Sequence, residues 1–410
     1  MNAGDGLPPF GVVQQALRRT TERLARELHT PSEAPPDWNE IEWSMARAVS
    51  AIHGITTLLA NRLRWSGPAE WLAFLRAQRG LAQQRDARIA TQLARIDSAM
   101  RAQGVYCVGL KGAALRQLSL YRDGERPMGD IDLLVRPQDA ARTEQALHAI
   151  EYRRVLTTRR HVVYDSRATE VLVAFGEHPG NSLKIEVHQA IDETLPIQRV
   201  DITADLLAGD RPGINAYPDE VELMRHLLLH AAGNMCSHTL RQVQLQDIGL
   251  LGARFGAGDW QRLLNTPEAR GGAWWMFPPL AMAARYDSGI PAALVQSFAA
   301  RCPRLLRLSS ARQTLSDISL SNLRIHALPG IFWSRSPLEA LRFAHSRLLP
   351  DRAALEELRH CEAANPTHQG TPWYGIPHAH RIVKWLLSRP PRVQTMVSVR
   401  AALTGGFNDS

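Results

Sequence analysis

Asp130 and Asp132 flank Ile131 in the stretch Gly129-Asp130-Ile131-Asp132-Leu133-Leu134-Val135. The branched, apolar run Ile131 to Val135 reads as a strand with two carboxylates built into it. Side chains alternate faces along a strand, so both aspartates project from one face. Two carboxylates at that spacing repel each other without a counter-ion, and hard cations such as Mg²⁺ prefer carboxylate oxygen. A solvated edge strand carries the same tripeptide, so the chemistry depends on what surrounds it.

Eighteen residues before Gly129, the pair Lys111-Gly112 follows the short apolar run Val105 to Leu110. That run reads as a buried strand, and Ala113 to Tyr121 reads as a helix. A strand passing through a glycine into a helix presents free N–H groups, and Lys111 adds a positive charge, so the junction suits phosphate. A plain tight turn is the alternative for the pair taken alone. Together the two motifs supply a place for phosphates and a place for the metals that activate them.

A third carboxylate comes from Lys184-Ile185-Glu186-Val187-His188. Its alternation places Ile185 and Val187 on one face and Lys184, Glu186 and His188 on the other. Glu186 completes the metal site or acts as general base on an acceptor hydroxyl, and His188 contacts phosphate or shuttles a proton. A solvent-facing polar stripe is the alternative for both. Arg126, four residues before Asp130, has the forked guanidinium suited to phosphate. Farther on, His226, His230 and Asn234 recur every four residues, and Arg241, Gln244 and Asp247 every three. Each set lies on one helix face. His226 fits a polar seam between helices. His230, Arg241 and Asp247 fit either that seam or a wall over the nucleotide or acceptor. A zinc site from His226 and His230 lacks a further ligand.

Three regions must position these residues. Residues 1–103 read as helical, with breaks at Pro31 to Pro36 and Gly67-Pro68 and a long arginine-studded helix from Trp71 to Met100. Residues 104–200 alternate strand and helix. After the aspartate strand come a helix from Ala140 to Ile150 and strands at His161–Tyr164, Glu170–Phe175 and Lys184–His188. Residues 176–181 form a turn. Residues 201–410 read as helical again.

The segments Leu110-Lys111-Gly112-Ala113-Ala114-Leu115 and Arg126-Pro127-Met128 through Val135 resemble the uncharacterised bacterial nucleotidyltransferase family. That family is a divergent branch of the DNA polymerase β-like nucleotidyltransferase superfamily. The resemblance runs from residue 80 to 195 and more thinly to 255. The wider superfamily has a Gly-Ser pair where this chain has Lys111-Gly112, so its phosphate contacts do not transfer directly. The resemblance implies an α+β fold, with a small mixed β-sheet core flanked by helical regions. It also implies transfer of a nucleoside monophosphate from an NTP such as ATP to an acceptor hydroxyl, with pyrophosphate released. The acceptor is a small molecule, a modified peptide or RNA.

On this reading Asp130, Asp132 and Glu186 are catalytic and hold one or two Mg²⁺ ions, with Mn²⁺ as a substitute. Lys111, Gly112, Arg126, His188, His230, Arg241 and Asp247 bind the nucleotide and its phosphates. The alternatives are a nucleotide-binding regulatory or toxin-like component of the same fold, and a catalytically silent scaffold.

The 410-residue chain, 45% hydrophobic with a net charge of +8, has the composition of a globular protein of two or three domains. A basic surface suits an anionic partner, and an arginine-biased composition gives the same sign. The four cysteines form no C-x-x-C pair, which points to a reducing cytoplasm and away from structural zinc. No apolar signal core opens the chain, no run is long enough to span a membrane, and no DNA-binding motif occurs.

Overall fold

Proline and glycine set the first boundaries. Helix α1 (Phe10–Glu27) ends before the Pro31–Pro36 stretch, and α2 (Glu40–Ile52) opens on Asn39. The Asn39 side chain accepts the Glu42 N–H and the Glu42 carboxylate accepts the Asn39 N–H, each at 3.0 Å, a reciprocal cap. Helix α3 (Thr56–Arg62) follows, then α4 (Ala69–Ala102) begins directly after Pro68. A computed structural model describes residues 7–166, 176–287, 289–352, 355, 356, 359, 376–388 and 390–405. The strand expected at 170–175 lies outside the described residues.

Buried positions recur along α4 at helical spacing, and they serve two cores in turn. Trp71, Phe74 and Leu75 pack into an N-terminal cluster with Leu17, Met45 and Leu58. Ile89, Ile96 and Met100 pack beneath the sheet. One helix thus joins the N-terminal bundle to the sheet.

The sheet contains β1 (Tyr106–Gly109), β2 (Asp130–Val135), β3 (Arg153–Thr157), β4 (His161–Asp165), β5 (Lys184–His188) and an edge strand, β8 (Gly213–Asn215). Their spatial order is β3-β4-β5-β2-β1-β8. β2 pairs parallel with β5, and β1 with β8, while the other pairings are antiparallel. A separate hairpin joins β6 (Asp192–Leu195) and β7 (Gln198–Asp201). The short helix α5 (Gly112–Gln117) follows β1, α6 (Ala140–Ala149) follows β2, and α7 (Thr203–Leu206) precedes β8. Helices α8 (Glu220–Ser237) and α9 (Gln242–Gly252) come next, and further helices make up most of the described residues after them. The fold is α+β with a small mixed sheet, as expected.

Several boundaries differ, among them the strand β8 inside residues 201–410, which read as helical. Helix α5 stops at Gln117 instead of reaching Tyr121, because Ser119 takes a left-handed φ of 52° and turns the chain out of the helix.

Alternation divides the sheet cleanly. Ile131, Leu133, Val135, Ile185 and Val187 share an apolar cluster with α4 and α6 residues such as Ile96, Met100 and Leu147. On the opposite face, Val108 and Leu134 pack with α8 residues such as Leu227 and Leu228. The N-terminal half of β2 on that second face is left for polar groups.

Candidate active site

Parallel pairing sets the polar face. Asp130 lies opposite Lys184, Asp132 opposite Glu186, and Leu134 opposite His188. Residues directly paired across two strands direct their side chains to the same face. Asp130, Asp132, Glu186 and His188 therefore share one surface. A cavity of about 370 Å³ opens over it, lined by Lys111, Gly112, Arg126, Asp130, Asp132, Glu186, His230, Arg241 and Asp247. His188 lines an adjoining cavity of about 140 Å³ that also reaches Lys111, Glu186 and His230. The residues singled out by spacing, drawn from well-separated parts of the chain, thus meet around two neighbouring hollows.

The junction after β1 is tightly fixed. The Leu110 N–H donates to the Asp132 carbonyl at 2.9 Å, extending the β1–β2 ladder to the edge of the site. Lys111 caps α5 with φ 43°, a left-handed value that costs a side-chain-bearing residue energy and persists only where the surroundings impose it. Its N–H donates to the Tyr217 hydroxyl at 3.4 Å, and that hydroxyl lies 2.6 Å from Nδ1 of buried His226. His226 thus belongs to a polar seam behind the junction. Gly112 is crowded: a Cβ there would come within 2.7 Å of an Arg126 Nη atom and 2.9 Å of Met128, so a larger residue would displace those side chains. At six residues, α5 offers only a short dipole.

Lys111 points at a carboxylate. Its Nζ lies 3.1 Å from Asp132 Oδ1, and His188 Nε2 lies 2.9 Å from the same oxygen. Burial alone would raise the Asp132 pKa, but Lys111 and His188 overcome it and hold the carboxyl well below the usual range. Lys111 is raised in turn, its burial outweighed by Asp132 and Asp130. The other two carboxyls move oppositely. Burial, then the charge of Asp132, raises Asp130. Burial, then Asp130 and Asp132, pushes Glu186 up to about 8. A divalent cation relieves this kind of crowding, and carboxylate oxygens suit a hard ion such as Mg²⁺ by their chemistry, although the ligand atoms that already lie within 4.8 Å of one another among the described residues are those of His161, Glu186 and His188.

The remaining walls are built from paired groups. Arg126 donates to both oxygens of buried Asp247, at 2.8 Å each, and the Tyr121 hydroxyl donates to one of them at 2.7 Å. Arg241 caps α9, its N–H donating to Gln244 Oε1 at 2.9 Å. His230 stands on α8 with its Nε2 3.2 Å from the Asn234 amide nitrogen, and burial holds the imidazole well below its ordinary pKa.

Two supporting residues carry no signal that sequence reasoning used. Arg85 on α4 donates to the carbonyls of Met128 and Gly129 at 2.6 Å and of Ser182 at 3.0 Å. One guanidinium thereby ties the loop entering β2 to the loop entering β5. Nothing in the sequence separates it from the other arginines of that helix. His161 on β4 lies directly across from His188. Its strand was expected, but its neighbours depend on the pairing of distant strands.

Carboxylates on adjoining strands thus stand beside a fixed ammonium, with helices α8 and α9 roofing the cavity. Residues 39–285 match the family model described as an uncharacterised nucleotidyltransferase, and the chain belongs to that family. Searches of curated proteins and of solved structures returned no match. The matched region spans α2 through the whole sheet and both helices that wall the cavity. Among the described residues, no helix is long and apolar enough to cross a membrane.

Proposed function

We propose that this protein transfers a nucleoside monophosphate from an NTP, ATP among the candidates, to an acceptor hydroxyl and releases pyrophosphate. The observation that carries the reading is the pairing of Asp132 with Glu186 on parallel strands, with Asp130 on the same face of one polar cavity. Asp130, Asp132 and Glu186 would hold one or two Mg²⁺ ions, or Mn²⁺. A divalent ion bound there supplies charge neutralisation for the triphosphate and Lewis-acid activation at phosphorus. The acceptor oxygen bonds to the α-phosphorus while the α–β bridging P–O bond breaks. Glu186, whose carboxylate the bound ion would keep ionised, is the group to take the acceptor's proton when it is not a ligand.

Lys111, the Gly112 backbone, His188, His230 and Arg241 are assigned to the phosphates. Arg126 and Asp247 enter as a pair, which shapes the nucleotide wall and aligns Gly112 beneath it. The acceptor is a small molecule, a modified peptide or RNA, and the setting is the cytoplasm. The cysteines Cys107, Cys236 and Cys302 are free, which agrees with a reducing compartment.

One observation favours a second reading, nucleotide binding without transfer. The Lys111 ammonium already neutralises Asp132 and so competes with a metal ion for that carboxylate. Calorimetry with each NTP, with and without Mg²⁺, followed by an assay of pyrophosphate release against candidate acceptors, decides between them. Mg²⁺-dependent binding with pyrophosphate release upholds transfer. Binding indifferent to Mg²⁺ upholds the second reading.

A further inference from the structure

Beside the aspartate pair, the same sheet face carries a second donor set of different chemistry. His161 on β4 is the cross-strand partner of His188 on β5, and Glu186 lies two residues before His188 on the same face. Glu186 Oε2 lies 3.6 Å from His161 Nε2 and 3.8 Å from His188 Nε2. One ligand atom from each of the three residues falls within 4.8 Å of the others. Both His–Glu separations exceed hydrogen-bond length, so the carboxylate faces two imidazoles without bonding to either. Ligands at zinc bond lengths around a tetrahedral ion are roughly 3.4 Å apart, so the two His–Glu pairs need little closure, and the two imidazoles start no more than 4.8 Å apart.

We propose that His161, Glu186 and His188 form a site for one divalent transition-metal ion of the zinc class. Two imidazoles and one carboxylate match borderline ions, whereas Mg²⁺ seeks oxygen alone. The three side chains project from adjacent strands, which hold ligand geometry better than loops do. They are partly buried and open into the cavity of about 140 Å³, leaving a position for water or a substrate atom. The nearby cations are already engaged, Lys111 with Asp132 and Arg160 with Glu193. His188 would exchange its contact with Asp132 for the ion, while Asp132 keeps Lys111. The inference shares Glu186 and His188 with the proposed transferase site but does not rest on nucleotidyl transfer.

The test uses the full-length chain stripped of metal, titrated with Zn²⁺ by calorimetry and with Co²⁺ by visible absorption. The expected result is one ion per chain and cobalt ligand-field bands typical of mixed nitrogen and oxygen donors. His161→Ala should lower the affinity at least roughly tenfold and remove the bands. Circular dichroism checks folding, and His161→Gln serves if the alanine variant fails to fold. Asp130→Asn should keep Zn²⁺ binding. Absence of Zn²⁺ binding by the wild type, wild-type affinity in a folded His161 variant, or loss of Zn²⁺ through Asp130→Asn overturns the site. The transferase reading fails separately, if Asp130→Asn leaves Mg²⁺-dependent NTP binding intact.

Discussion

The two faces of β2 and β5 belong to the same strands and meet opposite fates. On one, Ile131, Leu133, Ile185 and Val187 are closed off beneath α4 and α6. On the other, Asp130, Asp132 and Glu186 crowd into a cavity and shift one another's proton affinities. A slip of one residue in either strand would exchange the faces, burying charge and exposing the apolar row. The dry face therefore fixes the register that keeps like charges together on the wet one.

The most drastic way to break this contrast is to remove a charge from the wet face alone. Asp130→Asn leaves the Lys111–Asp132 pair intact, so the protein should fold as before while NTP binding, read by calorimetry, no longer responds to Mg²⁺. Retention of that response would detach the aspartates from nucleotide chemistry. Next is Lys111→Met, which leaves the Asp132 carboxylate buried without its ammonium. Chemical denaturation without metal should show a loss of about 3–5 kcal/mol, the usual cost of breaking a buried pair from one side. Mg²⁺ should restore much of it, whereas an unrescued loss would make Lys111 purely a scaffold group.

On the dry face, Leu133→Ala should cost about 2–5 kcal/mol by the same measurement, as deletion of a large buried aliphatic side chain does. Nucleotide affinity of the folded fraction should be unchanged, and a matching fall in affinity would show that the faces are not independent. The smallest effect concerns pH. Because Glu186 is pushed up to about 8, the folded metal-free protein holds its proton more tightly than the unfolded chain does. Its contribution to stability is therefore present below the ordinary carboxylate range and lost as pH rises toward 8. Divalent ions compete with that proton, so Mn²⁺ affinity should climb over the same window. Glu186→Gln should flatten the climb, and an equally steep climb in that variant would assign the titration elsewhere.

The parts legible in the sequence are those whose signal is local. β2 was readable from its branched apolar run, β5 from alternation, and the start of α4 from the break at Gly67-Pro68. The common facing of Asp130 and Asp132 follows from period two alone. Pairing between distant strands was not legible, because alternation names a face but no partner. The neighbours of Glu186 and His161 came only with the sheet order. β8 has three residues and β3 is largely exposed, so neither leaves an apolar pattern to read. Lys111 illustrates the same limit: its charge was visible, but its direction toward Asp132 came only with the fold of the junction after β1.

Arg85 bears on the order in which the molecule is assembled. α4 leaves the ribosome before any strand of the sheet, whereas β2 and β5 are parallel and far apart in the chain. Such pairings close slowly, since the entropy of the intervening loop is lost before contacts compensate. A guanidinium already displayed on a finished helix gives the entrances of both strands a common mooring, so the earlier-made part of the chain can template the later one. Moving α4 to the end of a permuted chain should therefore slow refolding far more than it weakens the final structure, because the mooring would arrive after the strands that need it.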